Sequence, residues 1–226
     1  MSIALITSNQ KNNGLNYASW SSLTLQSSEQ NLIVALRHAT AAVHESIEQL
    51  AIMRRIMSSS VTRADYCHYL FVLRDLYMPL EAALYTAIDC ETQLRLGVRP
   101  KLPALLADLN EQMAMNTDET FVTANTITPA NIVIQNINHL VGSLYVLEGA
   151  TLGGRTIARH LRRVLGDELG AAWFLDFHGE QTSTVWKQFA GALDELCAEQ
   201  RLESDAVIAG ALATFDDLYR QLARCE

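Results

Sequence analysis

A histidine and a glutamate one helical turn apart form the first chemical pattern in this chain. His44 and Glu48 lie in residues 36–48, where apolar residues recur every three or four positions, as they do along one side of an α-helix. On such a helix the Glu48 carboxylate could accept the Nδ1 hydrogen of the His44 imidazole. This arrangement fixes the tautomer and leaves Nε2 free to coordinate a metal ion.

Arg37 lies two turns before His44 on almost the same line of the helix. The helical rise separates the two residues by roughly 10 Å, which is about the distance from the iron of a porphyrin to its carboxylate-bearing rim. Taken singly, each residue has a plainer interpretation: a lone helical histidine is more often structural, and Arg37 and Glu48 would ordinarily be solvated charges. The pattern therefore needs support from a second segment.

A second helical segment is unusually rich in glycine. Gly142, Gly149 and Gly153 fall within about 40° of one another on an ideal helix, with Val146 beside them. Each interior glycine costs roughly 1 kcal/mol relative to alanine, so several in one helix need a compensating use. That use is either close packing against another helix or the approach of a planar ligand to the backbone, and the pattern leaves both open.

The helical period continues from about residue 31 onward, which predicts an all-α fold. Beyond the first helix, further helices are expected near residues 62–89 with a turn at Pro79, 102–110, 132–165 with a bend at its glycines, 182–199 and 204–225. Residues 1–29 are rich in Ser, Asn and Gln, and we interpret them as a polar, flexible tail that precedes one helical domain over residues 30–226.

Composition argues against several classes of function. A net charge of −8 without a dense Lys/Arg run is not expected of a nucleic-acid-binding protein. No apolar run approaches the roughly 20 residues that cross a bilayer. The four cysteines contain no C-x-x-C pair, which argues against a thiolate zinc site and a disulfide framework and favours a cytoplasmic protein.

Other histidines are weaker candidates. Asp65 and His68 form one carboxylate–imidazole pair, whereas a di-iron bundle needs two such pairs and further glutamates. His139 and His160 belong to the glycine-bearing helix but lie almost two or more turns from its central glycines. We therefore rank them below His44 as metal ligands.

Taken together, these segments resemble the haem oxygenase family in its bacterial form. The residues that carry the resemblance are Leu36-Arg37-x-Ala39-Thr40-x-x-Val43-His44-x-x-x-Glu48, Met53-Arg54, Val61-Thr62-Arg63, Leu80-Glu81 and the stretch from Tyr145 to Gly154. They span most of the chain from about residue 30, in the expected order. The resemblance implies a helical fold that holds haem between a proximal and a distal helix.

The resemblance also implies roles for individual residues. His44 matches the proximal iron ligand and Glu48 its hydrogen-bonding partner, while Gly149 and Gly153 match distal-helix positions that orient O2. The further haem contacts that it implies are Arg37, Val146, Ala150, Gly154, Lys187 and Phe215, of which Arg37 and Lys187 would lie near the propionates.

Two departures from the family concern the haem environment. Ala150 lies where the animal enzymes have an aspartate that organises distal water, so such a water network needs another anchor here. Gly191 lies where those enzymes have a further propionate-binding arginine. The resemblance therefore leaves the in-plane orientation of haem, and the meso position that is cleaved, undetermined.

The activity implied is the oxidation of haem, as both substrate and cofactor, to biliverdin, CO and Fe²⁺. It would use O2 and an external electron donor such as a ferredoxin, an NAD(P)H reductase or, in vitro, ascorbate, with a redox partner protein and a bilin-accepting protein as partners. A peroxidase would place an acid–base side chain on the distal side, whereas the glycine face offers Val146, Ala150 and backbone. This difference favours oxidation of the haem ring itself.

Three alternatives remain open. The first is a haem carrier or sensor of the same fold without turnover. The second is a thiaminase-like enzyme of related architecture, with Cys67 or Cys90 as nucleophile. The third is a helical interaction module, which predicts a packed glycine stripe and no ligand cavity.

Overall fold

The structure is a computed structural model that describes residues 31–115 and 134–224. Those residues form α-helices and short 3₁₀ turns without a β-strand, which confirms the predicted all-α fold. The helices are α1 (Leu32–Glu48), α2 (Ala51–Ile56), α3 (Arg63–Ala87), α4 (Cys90–Leu96), α5 (Leu102–Ala114), α6 (Ile137–Leu165), α7 (Thr182–Ala198) and α8 (Ser204–Ala223). The predicted tail, residues 1–29, lies outside the described residues.

Helix boundaries follow local capping. The Asn31 side chain accepts the Val34 N–H at the start of α1, and Thr62 and Asp65 form a reciprocal capping box at the start of α3. The predicted turn at Pro79 is wrong, because α3 continues through this proline. The proline removes one backbone hydrogen bond of the helix. The free energy gained by burying one face along the 25-residue helix offsets this loss.

Helix α8 lies at the centre of the arrangement, since it packs along both α6 and α1. The contact with α6 is a close backbone approach. A Cβ atom built at Gly142 of α6 would lie 2.5 Å from the Ala211 nitrogen of α8, and one built at Gly210 would lie 2.7 Å from the His139 Cα. Gly142 and Gly210 therefore serve close packing of α6 against α8.

We therefore expect Gly142→Ala to lower the free energy of unfolding by about 1–3 kcal/mol or more, because α6 and α8 must separate to admit the methyl group. Gly191→Ala is the matched control. It introduces the same methyl group into α7, where no described atom outside the local helix backbone lies within 4 Å, so it should stabilise the helix by up to about 1 kcal/mol. Urea denaturation measures both values, and equal effects of the two substitutions would contradict the packing role.

No helix in the described part of the chain combines the length and the apolar character needed to span a bilayer.

Candidate functional site

His44 presents an accessible imidazole on α1. Its side chain is 62% exposed, and its Nδ1 lies 3.5 Å from the Glu48 Oε1 one turn further along. The ring also lies edge-on to Phe215 of α8, with 6.1 Å between ring centroids. The structure thus brings together three residues that the sequence nominated, and Nε2 has no hydrogen-bond partner among the described residues. An exposed imidazole with a free Nε2 fits the axial position of a metal porphyrin.

Arg37 is exposed on α1, two turns before His44, and lies near Tyr145 of α6. Burial raises the pKa of the Tyr145 phenol, and both the Thr40 hydroxyl and the positive charge of Arg37 oppose that rise. Arg37 therefore lies on a part of α1 that is close to Tyr145 of α6, and the helical rise separates it from His44 by roughly 10 Å along α1.

Lys187 is exposed on α7 and shares a line of this helix with Asp194, seven residues later. Asp194 accepts hydrogen bonds from the Asn31 side chain and the Ile33 N–H at the start of α1. The Lys187 face of α7 is thus the face that meets α1. Arg37 and Lys187 are thus exposed cations on two helices, α1 and α7, that contact each other.

The glycine stripe of α6 divides into parts with different surroundings. Gly142 packs on α8, as described above, whereas a Cβ at Gly153 would have no described atom outside the local helix backbone within 4 Å. Gly153 and Ala150 are exposed. The bare part of the stripe is therefore the turn from residue 149 to residue 153, and nothing in the packing of the described residues requires glycine at position 153.

Val146 and Gly154 are less open than the residues between them. Val146 is buried in the core, and a Cβ at Gly154 would lie 2.8 Å from the Leu175 carbonyl oxygen. Packing thus accounts for the missing side chain at Gly154. The contacts of both residues with a ligand remain predictions.

Trp186 is a residue of this site that sequence reasoning missed. Its six-membered ring lies 3.7 Å from the Cβ position of Gly149, and its centroid lies 5.7 Å from those of Tyr145 and Phe189. The indole Nε1 is buried and has no hydrogen-bond partner among the described residues. Trp186 therefore borders the bare turn of α6, and a large aromatic residue on the inner face of α7 was the signal that could have found it.

A buried charged cluster lies behind the bare turn, and it too was missed. The Glu148 carboxylate accepts a hydrogen bond from the Lys101 Nζ at 2.5 Å, and its other oxygen lies 3.4 Å from the His178 Nε2. All three side chains are at most 5% exposed. Burial alone would raise the pKa of Glu148, but hydrogen bonding from His178 and the charge of Lys101 outweigh this effect and hold that pKa below its ordinary value.

We expect Glu148→Gln to lower the free energy of unfolding at pH 7 by about 3 kcal/mol, because Lys101 would remain buried without its counter-charge. Since the pKa of Glu148 is lowered by folding, its contribution is complete above the ordinary glutamate pKa of about 4.3 and is lost as pH falls through the lower folded-state value. Urea denaturation should therefore show the difference from wild type shrinking as pH is lowered from 7 to about 3. The exposed control Glu45→Gln should differ little from wild type, and a pH-independent deficit of Glu148→Gln would contradict this account.

The structure does not assemble the weaker candidates into a site. Asp65 pairs with Arg55 at 2.9 Å, and the His160 Nε2 lies 3.0 Å from the Ser58 carbonyl oxygen. Among the described residues, no group of three or more His, Cys, Asp or Glu side chains could hold a metal ion.

Burial disfavours Cys67, one of the two candidates, as the nucleophile of the thiaminase-like alternative. Cys67 is buried, and burial raises the pKa of its thiol, so the nucleophilic thiolate is disfavoured. Cys90 is exposed on α4.

Comparison with known proteins adds independent findings. The sequence profile of the family described as Heme oxygenase matches residues 30–224. A heme oxygenase from Xanthomonas campestris pv. campestris (strain 8004) is 36% identical over 84 residues, which make up 37% of this chain and 47% of that protein. The similarity thus spans about half the length of this relative.

Two solved structures share the fold. The crystal structure of heme oxygenase-1 from the cyanobacterium Synechocystis sp. PCC6803 in complex with heme has a TM-score of 0.64 and 16% identity, over 87% of this chain and 92% of that chain. The heme oxygenase from Leptospira interrogans has a TM-score of 0.66 and 18% identity, over 86% of this chain and 100% of that chain. Since the family profile matches residues 30–224 of the 226-residue chain, the chain belongs to the haem oxygenase family.

Proposed function

We propose that this protein is a haem oxygenase that converts haem to biliverdin, CO and Fe²⁺ with O2 and externally supplied electrons. The observation that carries the proposal is the exposed His44 imidazole of α1 with Glu48 beside it. It is supported by the exposed Gly153 of α6, where a Cβ would meet no described atom outside the local helix backbone within 4 Å. Bound haem would supply both the iron at which O2 is activated and the ring carbon that is oxidised.

On the proximal side, His44 would hold the haem iron through Nε2, and Glu48, whose Oε1 lies 3.5 Å from the His44 Nδ1, would accept the Nδ1 hydrogen and fix the ring orientation. An imidazole ligand lacks the strong electron donation of a thiolate. Phe215 lies edge-on to the imidazole and would border the haem on this side. Arg37 and Lys187 attract the propionates.

On the distal side, Gly149, Ala150 and Gly153 offer backbone and a single methyl group. No acid–base side chain projects from these positions to promote early O–O cleavage, as a peroxidase would require. Without side chains at Gly149 and Gly153, the helix backbone could approach bound haem closely and would limit the orientations open to O2. The glycines also give the helix freedom to admit haem and to release the larger product.

Electrons come from an external donor, a ferredoxin or an NAD(P)H reductase in the cell or ascorbate in vitro. A redox partner protein and a bilin-accepting protein are the corresponding partners, and the protein acts in the cytoplasm.

The test is a single-turnover reaction of the purified chain with one equivalent of haem, ascorbate and air. We expect the Soret band to disappear and biliverdin to form, as identified by absorption and chromatography, with release of ferrozine-reactive iron. A Soret band that persists would contradict the enzymatic function and indicate a haem carrier or sensor.

A further inference from the structure

The turn of α6 that carries Gly149 and Gly153 is held from behind. On its exposed side, a Cβ built at Gly153 would meet no described atom outside the local helix backbone within 4 Å. On the back, the Gly154 backbone packs against the Leu175 carbonyl, and the Arg155 guanidinium donates a hydrogen bond to the Gly179 carbonyl. Contacts on its far side therefore contribute to the position of the bare turn, together with the Trp186 ring beside Gly149.

Glu148 is the charged residue of this far side, and it directly precedes Gly149. One carboxylate oxygen lies 2.5 Å from the Lys101 Nζ, and the other lies 3.4 Å from the His178 Nε2. Lys101 precedes α5, and His178 lies between α6 and α7. The carboxylate thus ties α6 to two other parts of the chain at the residue next to the bare turn.

Lys101 is itself held from several directions. Its backbone N–H donates to the Glu81 Oε1 of α3 at 2.7 Å, and its Nζ lies 3.5 Å from the Arg99 carbonyl oxygen. The same Nζ lies 5.3 Å from the centre of the Phe177 ring. The ammonium group is therefore a fixed point rather than a mobile surface charge.

Such a cluster is better suited to fixing geometry than to stabilising the fold. A buried ion pair recovers little more than its desolvation cost, and apolar side chains of similar size often serve stability as well. Its hydrogen bonds are nevertheless directional and strong in a water-poor interior. A displacement of about 1 Å at a reacting centre can cost about 100-fold in rate.

We propose that Glu148 is a positioning residue of the distal helix. Through Lys101 and His178 it sets the height and rotation of the backbone at residues 149–153 against bound haem, and thereby the rate and the meso selectivity of ring oxidation. The inference rests on the proposed function and adds a residue that does not touch the substrate.

The test compares Glu148→Gln with Glu81→Gln. Both variants lose a buried carboxylate that contacts Lys101, but Glu81 belongs to α3 and not to the distal helix. We expect Glu148→Gln to lower kcat about tenfold or more and to change the proportions of biliverdin isomers. Glu81→Gln should retain the wild-type isomer proportions, because the amide oxygen of the glutamine can still accept the Lys101 N–H and keep Lys101 in place. Altered proportions in both variants, or in neither, would overturn the positioning role.

A second measurement needs haem binding alone. The alkaline transition of the ferric haem spectrum reports the distal surroundings, and its midpoint should move by about half a pH unit or more in Glu148→Gln but not in Glu81→Gln. If wild-type protein binds haem without forming biliverdin, the proposed enzymatic function fails, and this midpoint still decides whether Glu148 positions α6. Equal midpoints in wild type and Glu148→Gln would refute the positioning role alone.

If Glu148→Gln does not fold, the double variant Lys101→Met/Glu148→Met replaces it. Removal of both charges should restore stability, whereas the altered isomer proportions and the shifted midpoint should persist. A stable double variant with wild-type values of both would overturn the proposal.

Discussion

Replacement of His44 by alanine should abolish the haem spectrum of the wild-type protein and the formation of biliverdin. The imidazole is accessible, and its Nε2 has no competing partner among the described residues. Loss of residues that merely orient a metal ligand typically costs about 10–100-fold in metal affinity, so loss of the ligand itself should weaken haem binding by more than about 100-fold. Titration of the purified variant with haem, followed through the Soret band, measures the effect.

His38→Ala is the matched control for this prediction. His38 is also an exposed histidine of α1, but it projects about 120° away from His44 around the helix axis. Its removal should leave the haem spectrum unchanged. An unaltered spectrum in His44→Ala, or equal losses in both variants, would refute His44 as the axial ligand.

Replacement of Gly153 by leucine should stabilise the haem-free protein while it abolishes biliverdin formation. No described atom outside the local helix backbone lies within 4 Å of the added Cβ, and leucine has a helix propensity up to about 1 kcal/mol better than glycine. The same side chain would occupy the space that we assign to haem and O2. Turnover should therefore fall by about 100-fold or more, with a shift towards peroxidase-like products.

The opposite signs of the two effects make this prediction informative. Urea denaturation of the haem-free protein gives the stability, and the yield of biliverdin per haem gives the activity. Gly149→Ala should show the same trend more weakly, because its methyl group would meet the Trp186 ring at an ordinary contact distance of 3.7 Å. Ala198→Leu, at an exposed position near the end of α7, controls for added apolar surface. An unchanged biliverdin yield in Gly153→Leu would contradict the assigned distal surface.

The sequence by itself was sufficient for relations within one helix. His44 and Glu48 lie four residues apart, and α-helical geometry places such residues side by side whatever surrounds the helix. The all-α fold followed from the helical period in the same way. The short helices α2 and α4 were not predicted, because six or seven residues carry too little periodicity to distinguish a helix from a turn.

The tertiary structure decided which partners meet across the chain. Gly142 and Gly153 share one face of α6, yet Gly142 packs on α8, whereas a Cβ at Gly153 would meet no described atom outside the local helix backbone within 4 Å. Helix geometry alone cannot predict this difference. Glu148 finds Lys101 and His178 at separations of 47 and 30 residues. Such contacts depend on how whole helices pack, because local spacing determines the direction of a side chain from its own helix but not the surface that it meets.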